Sequence, residues 1–110
     1  MKGTNLGEFE ELVLLTVGIL NDEAYSIAIS NEINRVTKRK VNFAVVHSAL
    51  NRLEEKGYVD SKLGGATSER GGRSKRIFTI SNSGKKALLK VKSQRDELWS
   101  LLPKSVFKTA

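Results

Sequence analysis

Residues 50–84 read LNRLEEKGYVDSKLGGATSERGGRSKRIFTISNSG and contain the local signals that decide the fold. Leucines at helical spacing run into Gly57, a residue type that commonly ends helices in a left-handed conformation. A strand is predicted directly after this glycine, followed by a glycine-rich basic turn over 64–74 and a returning strand over 75–80. Ser81 then has the right chemistry to cap a further helix. A helix, a β-hairpin with a basic tip and another helix are the expected parts of a winged helix-turn-helix.

Helical periodicity predicts three helices before the hairpin, over residues 7–20, 24–37 and 43–56. The first is apolar on nearly every side, so we expect most of its circumference to be buried. Val41 is expected to form a short strand before the third helix, and Asn42 is the expected N-cap of that helix. The third helix has two distinct faces. We expect its core face to be Val46, Ala49, Leu50 and Leu53, and its outward face to be Ala44, His47, Ser48, Asn51 and Arg52.

A last helix is predicted from Asn82 to Leu102, where Pro103 would stop it. At about 20 residues it would be roughly 30 Å long, more than the core of so small a domain can cover. A projecting amphipathic helix needs a partner, and a second copy of the chain is the simplest one. We therefore expect a homodimer whose interface includes Leu88, Val91, Arg95, Leu98, Trp99 and Leu102.

The chain has 110 residues, enough for one compact domain, for which we expect an α+β, mostly helical fold. Residues 1–80 are the expected winged-helix region, and residues 81–110 the dimerisation helix and tail. The charge is uneven, because residues 1–56 carry 7 basic and 8 acidic side chains whereas residues 57–110 carry 12 basic and 4 acidic ones. Positive charge concentrated in the hairpin and the last helix points to a polyanionic partner, nucleic acid before membrane.

The composition excludes several kinds of site. No cysteine is present, which rules out disulfides, thiolate metal sites and cysteine nucleophiles. With one histidine and scattered carboxylates, no catalytic or metal-binding constellation is recognisable, so we expect neither an enzyme nor a cofactor. The longest apolar run, over residues 12–20, is much shorter than the roughly 20 residues of a membrane span. Acidic residues precede it where a secretory signal would be basic, so a cytoplasmic protein is expected.

Together these features resemble the PadR family of bacterial winged-helix transcriptional regulators. The resemblance runs from Leu6-Gly7-Glu8-Phe9-Glu10 to Ser81-x-x-Gly84, and its most specific part is Glu69-Arg70-Gly71-Gly72-Arg73-Ser74-Lys75-Arg76. The single helix after the hairpin resembles the smaller PadR subgroup. The chain departs from the family's usual tyrosine at His47, aromatic residue near Ile77 and proline at Asn82. Because His47 is expected to face DNA, the operator sequence does not transfer from relatives.

The resemblance implies a homodimeric repressor on a pseudo-palindromic operator in double-stranded DNA. The second helix of a helix-turn-helix enters the major groove, so bases are expected to contact Ala44, His47, Ser48 and Asn51, with Arg52 on phosphate. Glycines let the hairpin approach the sugar-phosphate chain, where we expect Arg70, Arg73, Lys75 and Arg76 to bind. The basic connector before the third helix is expected on the adjacent backbone, through Lys38, Arg39 and Lys40. Ordinary solvated surface is the alternative for each position.

Two further alternatives stay open. Trp99 either anchors the dimer interface or, with Arg95, contacts a small aromatic effector, as the resemblance to multidrug-sensing PadR-like repressors implies. The tryptophan of those repressors falls near Arg95, one helical turn before Trp99, so the interface anchor is favoured. The chain as a whole could instead be a winged-helix interaction module for RNA or a protein partner. A preference for duplex DNA with a discrete footprint distinguishes a regulator from such a module.

Overall fold

Four helices and one β-hairpin follow each other in the order that the sequence predicts. The computed structural model describes residues 5–64 and 75–108. Its main elements are α1 (Glu8–Leu20), α2 (Ser26–Thr37), α3 (Phe43–Glu55), β1 (Val59–Leu63), β2 (Arg76–Ile80) and α4 (Asn82–Leu101). Short 3₁₀ turns lie at Asn21–Glu23 and Lys104–Phe107. The mostly helical α+β fold and the winged helix-turn-helix are therefore confirmed.

The core lies where α1, α2 and α3 pack together and against the hairpin. The apolar face of α3 is fully buried there, as its periodicity predicts, through Val46, Ala49, Leu50 and Leu53. The side chain of Asn42 caps the same helix, since it accepts a hydrogen bond of 3.1 Å from the Val45 amide. The outward face of α3 is exposed along its whole length, so burial and capping together fix which side of this helix can meet a partner.

The expectation that α1 is buried around most of its circumference holds except along one apolar strip. Val13, Leu14 and Val17 are buried, but Leu15 is 44% exposed and Ile19 is 64% exposed. The reason is that α2, α3 and β2 pack against one side of α1, while α4 contacts it less extensively. Beside α4, the single chain therefore leaves an apolar strip of α1 open.

The expected strand at Val41 is wrong. The side-chain amide of Asn34 on α2 donates to the Val41 carbonyl at 2.8 Å and accepts from the Val41 N–H at 2.9 Å. One side chain thus satisfies both backbone groups that a neighbouring strand would otherwise pair. Besides its two strands, the hairpin bonds to the segment before α2: the Phe78 N–H donates to the carbonyl of Ala24 at 2.9 Å.

The hairpin is antiparallel, with Val59 opposite Ile80 and Leu63 opposite Arg76. Its end nearest the helices is buried, through Val59 and Phe78. Its other end is open to solvent, and Leu63 is 68% exposed. The tip of the hairpin, residues 65–74, lies outside the described residues. The hairpin is thus anchored at its base and extends away from the core.

The junction between α3 and β1 confirms the role predicted for Gly57. This residue has a φ of 80°, in the left-handed region that favours glycine. The following N–H, of Tyr58, donates to the Leu53 carbonyl at 2.9 Å, and the N–H of Gly57 donates to the Glu54 carbonyl at 3.0 Å. This pair of bonds forms a Schellman motif, which ends α3 and sets the direction of β1.

The start of α4 is fastened to the same junction. Ser81 caps α4 by accepting a hydrogen bond of 3.0 Å from the Gly84 amide, as predicted, and its hydroxyl also donates to the Gly57 carbonyl at 2.6 Å. Gly84 lies so close to β1 that a Cβ atom there would be 2.2 Å from the carbonyl oxygen of Tyr58. A side chain at position 84 would therefore force the helix away from the hairpin.

Beyond this junction α4 projects from the core. Within the part of the chain that the structure describes, Gly84 is the one buried residue of this helix. Leu88 and Val91 are half-buried, and Leu98 is 67% exposed. The molecule accordingly measures 60 × 34 × 22 Å. After Pro103 the 3₁₀ turn brings Phe107 back onto Trp99, with ring centroids 5.9 Å apart and ring planes 9° apart.

Candidate nucleic-acid interface

The exposed face of α3 is the centre of the candidate interface. Four side chains that the sequence assigns to base contacts lie on this face, opposite the buried one, and all are exposed: Ala44, His47, Ser48 and Asn51. Between them they offer a methyl group, an imidazole, a hydroxyl and a carboxamide, which suit the edges of bases in a major groove. The helix period brings the four together, so one rigid element positions them all.

His47 is oriented by a residue of α2. Its Nδ1 lies 3.4 Å from the hydroxyl oxygen of Ser26, at the first turn of α2. This contact turns the opposite ring nitrogen, Nε2, away from Ser26. The exposed imidazole thus presents one nitrogen to its own chain and leaves the other outside that contact.

The basic connector between α2 and α3, residues 38–40, is fixed by hydrogen bonds to the end of α2. Lys38 has a left-handed φ of 63°, and its N–H donates to the Asn34 carbonyl at 2.9 Å. The Thr37 hydroxyl accepts from the Arg39 N–H at 3.3 Å. The guanidinium of Arg39 forms an ion pair with Glu8 at the start of α1. The connector is thus a fixed turn, and one of its cations is already paired.

Arg52 and Lys56 share a buried carboxylate. Arg52 Nε donates to Glu10 Oε2 at 3.0 Å, and Lys56 Nζ donates to Glu10 Oε1 at 2.7 Å. The Gly7 N–H also donates to this carboxylate, at 3.0 Å. Burial raises the pKa of Glu10, but the hydrogen bonds from Lys56, Gly7 and Arg52 outweigh it and hold the pKa below its usual value. The charged Glu10 side chain therefore links α1 to α3 through its ion pairs.

The described end of the hairpin carries two of the predicted DNA-binding residues. Lys75 Nζ lies 4.2 Å from the ring centroid of Tyr25, a cation–π contact. Arg76 donates to the Ser61 hydroxyl at 3.2 Å and lies 3.8 Å from Glu54 of α3. The outer end of the described hairpin is thereby connected to Tyr25, just before α2, and to α3. Arg70 and Arg73 fall in the tip and lie outside the described residues.

Three carboxylates at this surface have roles that the sequence interpretation missed: Glu8, Glu10 and Glu54. Each pairs with an arginine that is predicted to bind DNA, at Arg39, Arg52 and Arg76 respectively. The first two pairs join residues 31 and 42 positions apart in the chain. No local spacing signals such pairs, because they depend on how the helices pack.

A second surface lies between α1 and the middle of α4. Arg95 donates to Glu11 at 2.8 Å across this gap. The groove beside this pair has a volume of about 710 Å³, and its apolar lining is Leu15, Leu88, Leu89 and Trp99. The structure thus brings together Arg95 and Trp99, the two residues named as an effector pocket, and places them next to the open strip of α1.

Two kinds of site are absent from the described ranges, 5–64 and 75–108. No group of three or more His, Asp or Glu side chains is placed to hold a metal ion there. No helix in those ranges combines the length and the apolar character needed to cross a membrane.

Solved structures of bacterial regulators have the same fold. A PadR-like transcriptional regulator from Bacillus cereus is 17% identical, with 89% of this chain and 93% of that chain covered at a TM-score of 0.69. A PadR family transcription regulator from Clostridium difficile is 21% identical, with 82% and 92% covered at a TM-score of 0.62. The fold is that of solved PadR-like regulators.

A further solved structure with a similar fold carries the name RosR and not PadR. RosR of H. salinarum is 19% identical, with 89% of this chain and 81% of that chain covered at a TM-score of 0.66. No protein-family model matches the sequence, and no curated protein matches it at a significant level. At these identities the likeness establishes the fold alone.

Proposed function

We propose that the chain is a sequence-specific regulator of transcription that binds double-stranded DNA as a homodimer and represses from a pseudo-palindromic operator. The observation that carries this proposal is the bare outward face of α3, with Ala44, His47, Ser48 and Asn51 exposed on the second helix of a helix-turn-helix. The second helix of such a pair enters the major groove with its first turns on base edges. The fold shared with PadR-like regulators supports the same assignment.

The proposed base contacts follow from the chemistry of each side chain. Asn51 can bond an adenine edge in two places, and Ala44 can pack against a thymine methyl group. Ser48 and His47 can donate to purine acceptors, and the outward Nε2 of His47 suits that role. Sequence preference is thus assigned to α3, within a DNA-binding region formed by residues 1–80.

Affinity is assigned to the basic residues around α3. Phosphate contacts supply a large, sequence-independent share of DNA binding. Lys38 and Arg39 precede α3 and Arg52 lies on it. Lys75 and Arg76 lie at the outer end of the described hairpin, and Arg70 and Arg73 fall among residues 65–74. We assign the connector and Arg52 to the adjacent backbone, and the hairpin to phosphate or the minor groove.

The dimer is assigned to α4 and the tail, residues 81–110. This helix and its C-cap expose large apolar side chains beyond the core, at Leu89, Leu98, Trp99, Leu101 and Leu102. Leu88, Val91 and Arg95 continue the interface toward the core. The open strip of α1 at Leu15 and Ile19 lies beside the same helix and extends the apolar area. A two-fold axis there would place two α3 helices in successive major grooves, roughly 34 Å apart.

Response to a ligand is a further part of the proposal. The groove at Arg95 and Trp99 combines a flat aromatic surface with a cation, a combination that suits a small aromatic effector. An effector bound there would lie between α1 and α4. It would act by tilting the two DNA-binding regions of a dimer relative to one another. The same proposal places the protein in the cytoplasm, where operators are accessible.

The test is selection of duplexes from a random pool, followed by fluorescence anisotropy on the selected sequence and on a scrambled one at near-physiological salt. A preference of roughly a thousandfold or more for the selected duplex is expected. Asn51→Ala should reduce that preference and leave binding to the scrambled duplex unchanged, while Ser83→Ala on α4 serves as the control. Equal, weak binding to every duplex, or stronger binding to single-stranded RNA, would exclude an operator-specific regulator.

A further inference from the structure

The cations around α3 do not all have the same freedom to reach DNA. Arg39, Arg52 and Arg76 each form an ion pair with a carboxylate of the chain itself. An arginine can grip a phosphate with its full guanidinium only if it leaves, or shares, the carboxylate that already holds it. The exposure of each pair therefore decides which arginine can exchange one anion for another.

Of these three arginines, Arg39 and Arg52 donate a hydrogen bond to their carboxylate, and Arg39 has the more exposed partner, Glu8. The side chain of Glu8 is 60% exposed and that of Arg39 is 39% exposed. The Glu10 carboxylate, by contrast, is only 9% exposed and keeps Lys56 even if Arg52 leaves. An exposed ion pair contributes little free energy and can open at small cost, since water solvates both partners at once.

The connector holds Arg39 in place while its guanidinium exchanges. The left-handed turn at Lys38 and the bond from the Arg39 N–H to Thr37 fix the backbone on one side. The two bonds between Asn34 and Val41 fix it on the other side. The base of the Arg39 side chain is therefore stationary, close to the start of α3, and only the side chain has to swing.

We propose that Glu8 is an intramolecular competitor for DNA phosphate at Arg39. In the free chain Glu8 holds the guanidinium; on DNA the arginine exchanges the carboxylate for a phosphate. This inference rests on the proposed function and adds a second role to the acidic start of α1. Because a phosphate contact is the same on every sequence, the competition lowers affinity for all DNA and so limits non-specific binding.

A double-mutant cycle tests this competition. The dissociation constant for a labelled duplex of scrambled sequence is measured for the wild-type chain, Glu8→Gln, Arg39→Ala and the double variant, each at several salt concentrations. Glu8→Gln should tighten binding about 1.5- to 5-fold, the range that an exposed ion pair allows. It should leave the salt slope nearly unchanged, because the wild-type arginine also contacts its phosphate once it has left Glu8. In the Arg39→Ala background the same substitution should change neither quantity.

Glu32→Gln is the matched control. It removes the same charge from an ion pair with Arg35 on α2, whose side chain is 70% exposed, and should tighten binding less than Glu8→Gln does. A gain from Glu8→Gln that survives in the Arg39→Ala background would show that only net charge matters and would overturn the competition. No gain at all would also overturn it while leaving DNA binding intact. A wild-type chain that binds no duplex would overturn the proposed function as well.

Discussion

Glu10 Oε1 of α1 lies 2.7 Å from Lys56 Nζ, which follows α3, and the same ammonium group donates to the Asn5 carbonyl at 2.8 Å. Both side chains are largely buried, at 9% and 18% exposure. One ammonium group therefore ties the residues before α1, the first turn of α1 and the end of α3 together. The helix that carries the proposed base contacts is held against the rest of the fold by this tie as well as by its apolar face.

Glu10→Gln should destabilise the chain measurably. The substitution keeps the shape of the side chain but removes the charge that accepts from Lys56, Arg52 and Gly7. Hydrogen bonds to charged groups contribute about 1.5–3 kcal/mol each, and the amide can keep part of them, so we expect a loss of about 2 kcal/mol. Urea denaturation at neutral pH measures it. Glu32→Gln removes the bonds of a single partner, Arg35, which is 70% exposed, and should lower the urea midpoint less; an equal loss in both variants would contradict the special role of Glu10.

The stability of the chain should also depend on pH through Glu10. Its pKa is lower in the folded chain than in the unfolded chain, since Lys56, Gly7 and Arg52 favour the charged form over the effect of burial. Its contribution is therefore complete above the unfolded pKa, about 4.3, and is lost as the pH falls through the folded pKa. Between about pH 6 and about pH 3 the wild-type urea midpoint should fall further than that of Glu10→Gln. Parallel declines would show that other carboxylates account for the loss.

Gly84→Ala should destabilise the junction between the hairpin and α4. The added Cβ would lie 2.2 Å from the carbonyl oxygen of Tyr58, an atom of the backbone that cannot move aside cheaply. That carbonyl also accepts from the Ser81 N–H at 3.0 Å, so any shift would strain the cap of α4. We expect a loss of about 2–3 kcal/mol, in the range for overpacked sites, measured by thermal and urea denaturation. Ser83→Ala, one residue earlier on an exposed side, should have little effect.

The elements that could be predicted from the sequence are those fixed by neighbouring residues. The cap at Asn42, the left-handed Gly57 and the cap at Ser81 act within a few positions of the chain. The buried face of α3 follows from helical spacing alone, and so does its exposed face. The candidate base contacts were therefore within reach of sequence reasoning.

The features that could not be predicted depend on packing between distant residues. The backbone of Val41 bonds to the side-chain amide of Asn34 on α2 and not to a neighbouring strand. Glu11 and Arg95, which close one side of the α1–α4 groove, are 84 positions apart. The exposure of Leu15 and Ile19 depends on how little of α1 the helix α4 covers. Periodicity identifies an apolar side chain but not the element that will cover it.

Replacing Arg73 and Lys75 together with alanine should weaken binding to every duplex. If the hairpin grips the sugar-phosphate chain, each lost phosphate contact should make the salt slope shallower by up to about 0.9. Lys86→Ala combined with Lys104→Ala removes the same charge from exposed positions on α4 and after it, and should leave the slope unchanged. Anisotropy titrations across a range of salt concentrations measure both. An unchanged slope in the Arg73 and Lys75 variant would remove the hairpin from the interface.

Leu98→Glu should convert a dimer into monomers. Leu98 is 67% exposed in the single chain, near Trp99 and Phe107, and a carboxylate there would be buried without a partner in the proposed interface. Leu63→Glu is the matched control, because Leu63 is 68% exposed but lies on the hairpin. Sedimentation velocity should show monomers for Leu98→Glu and dimers for the control and the wild-type chain. A dimer that persists with glutamate at position 98 would move the interface away from the distal half of α4, toward Leu15 and Ile19 of α1.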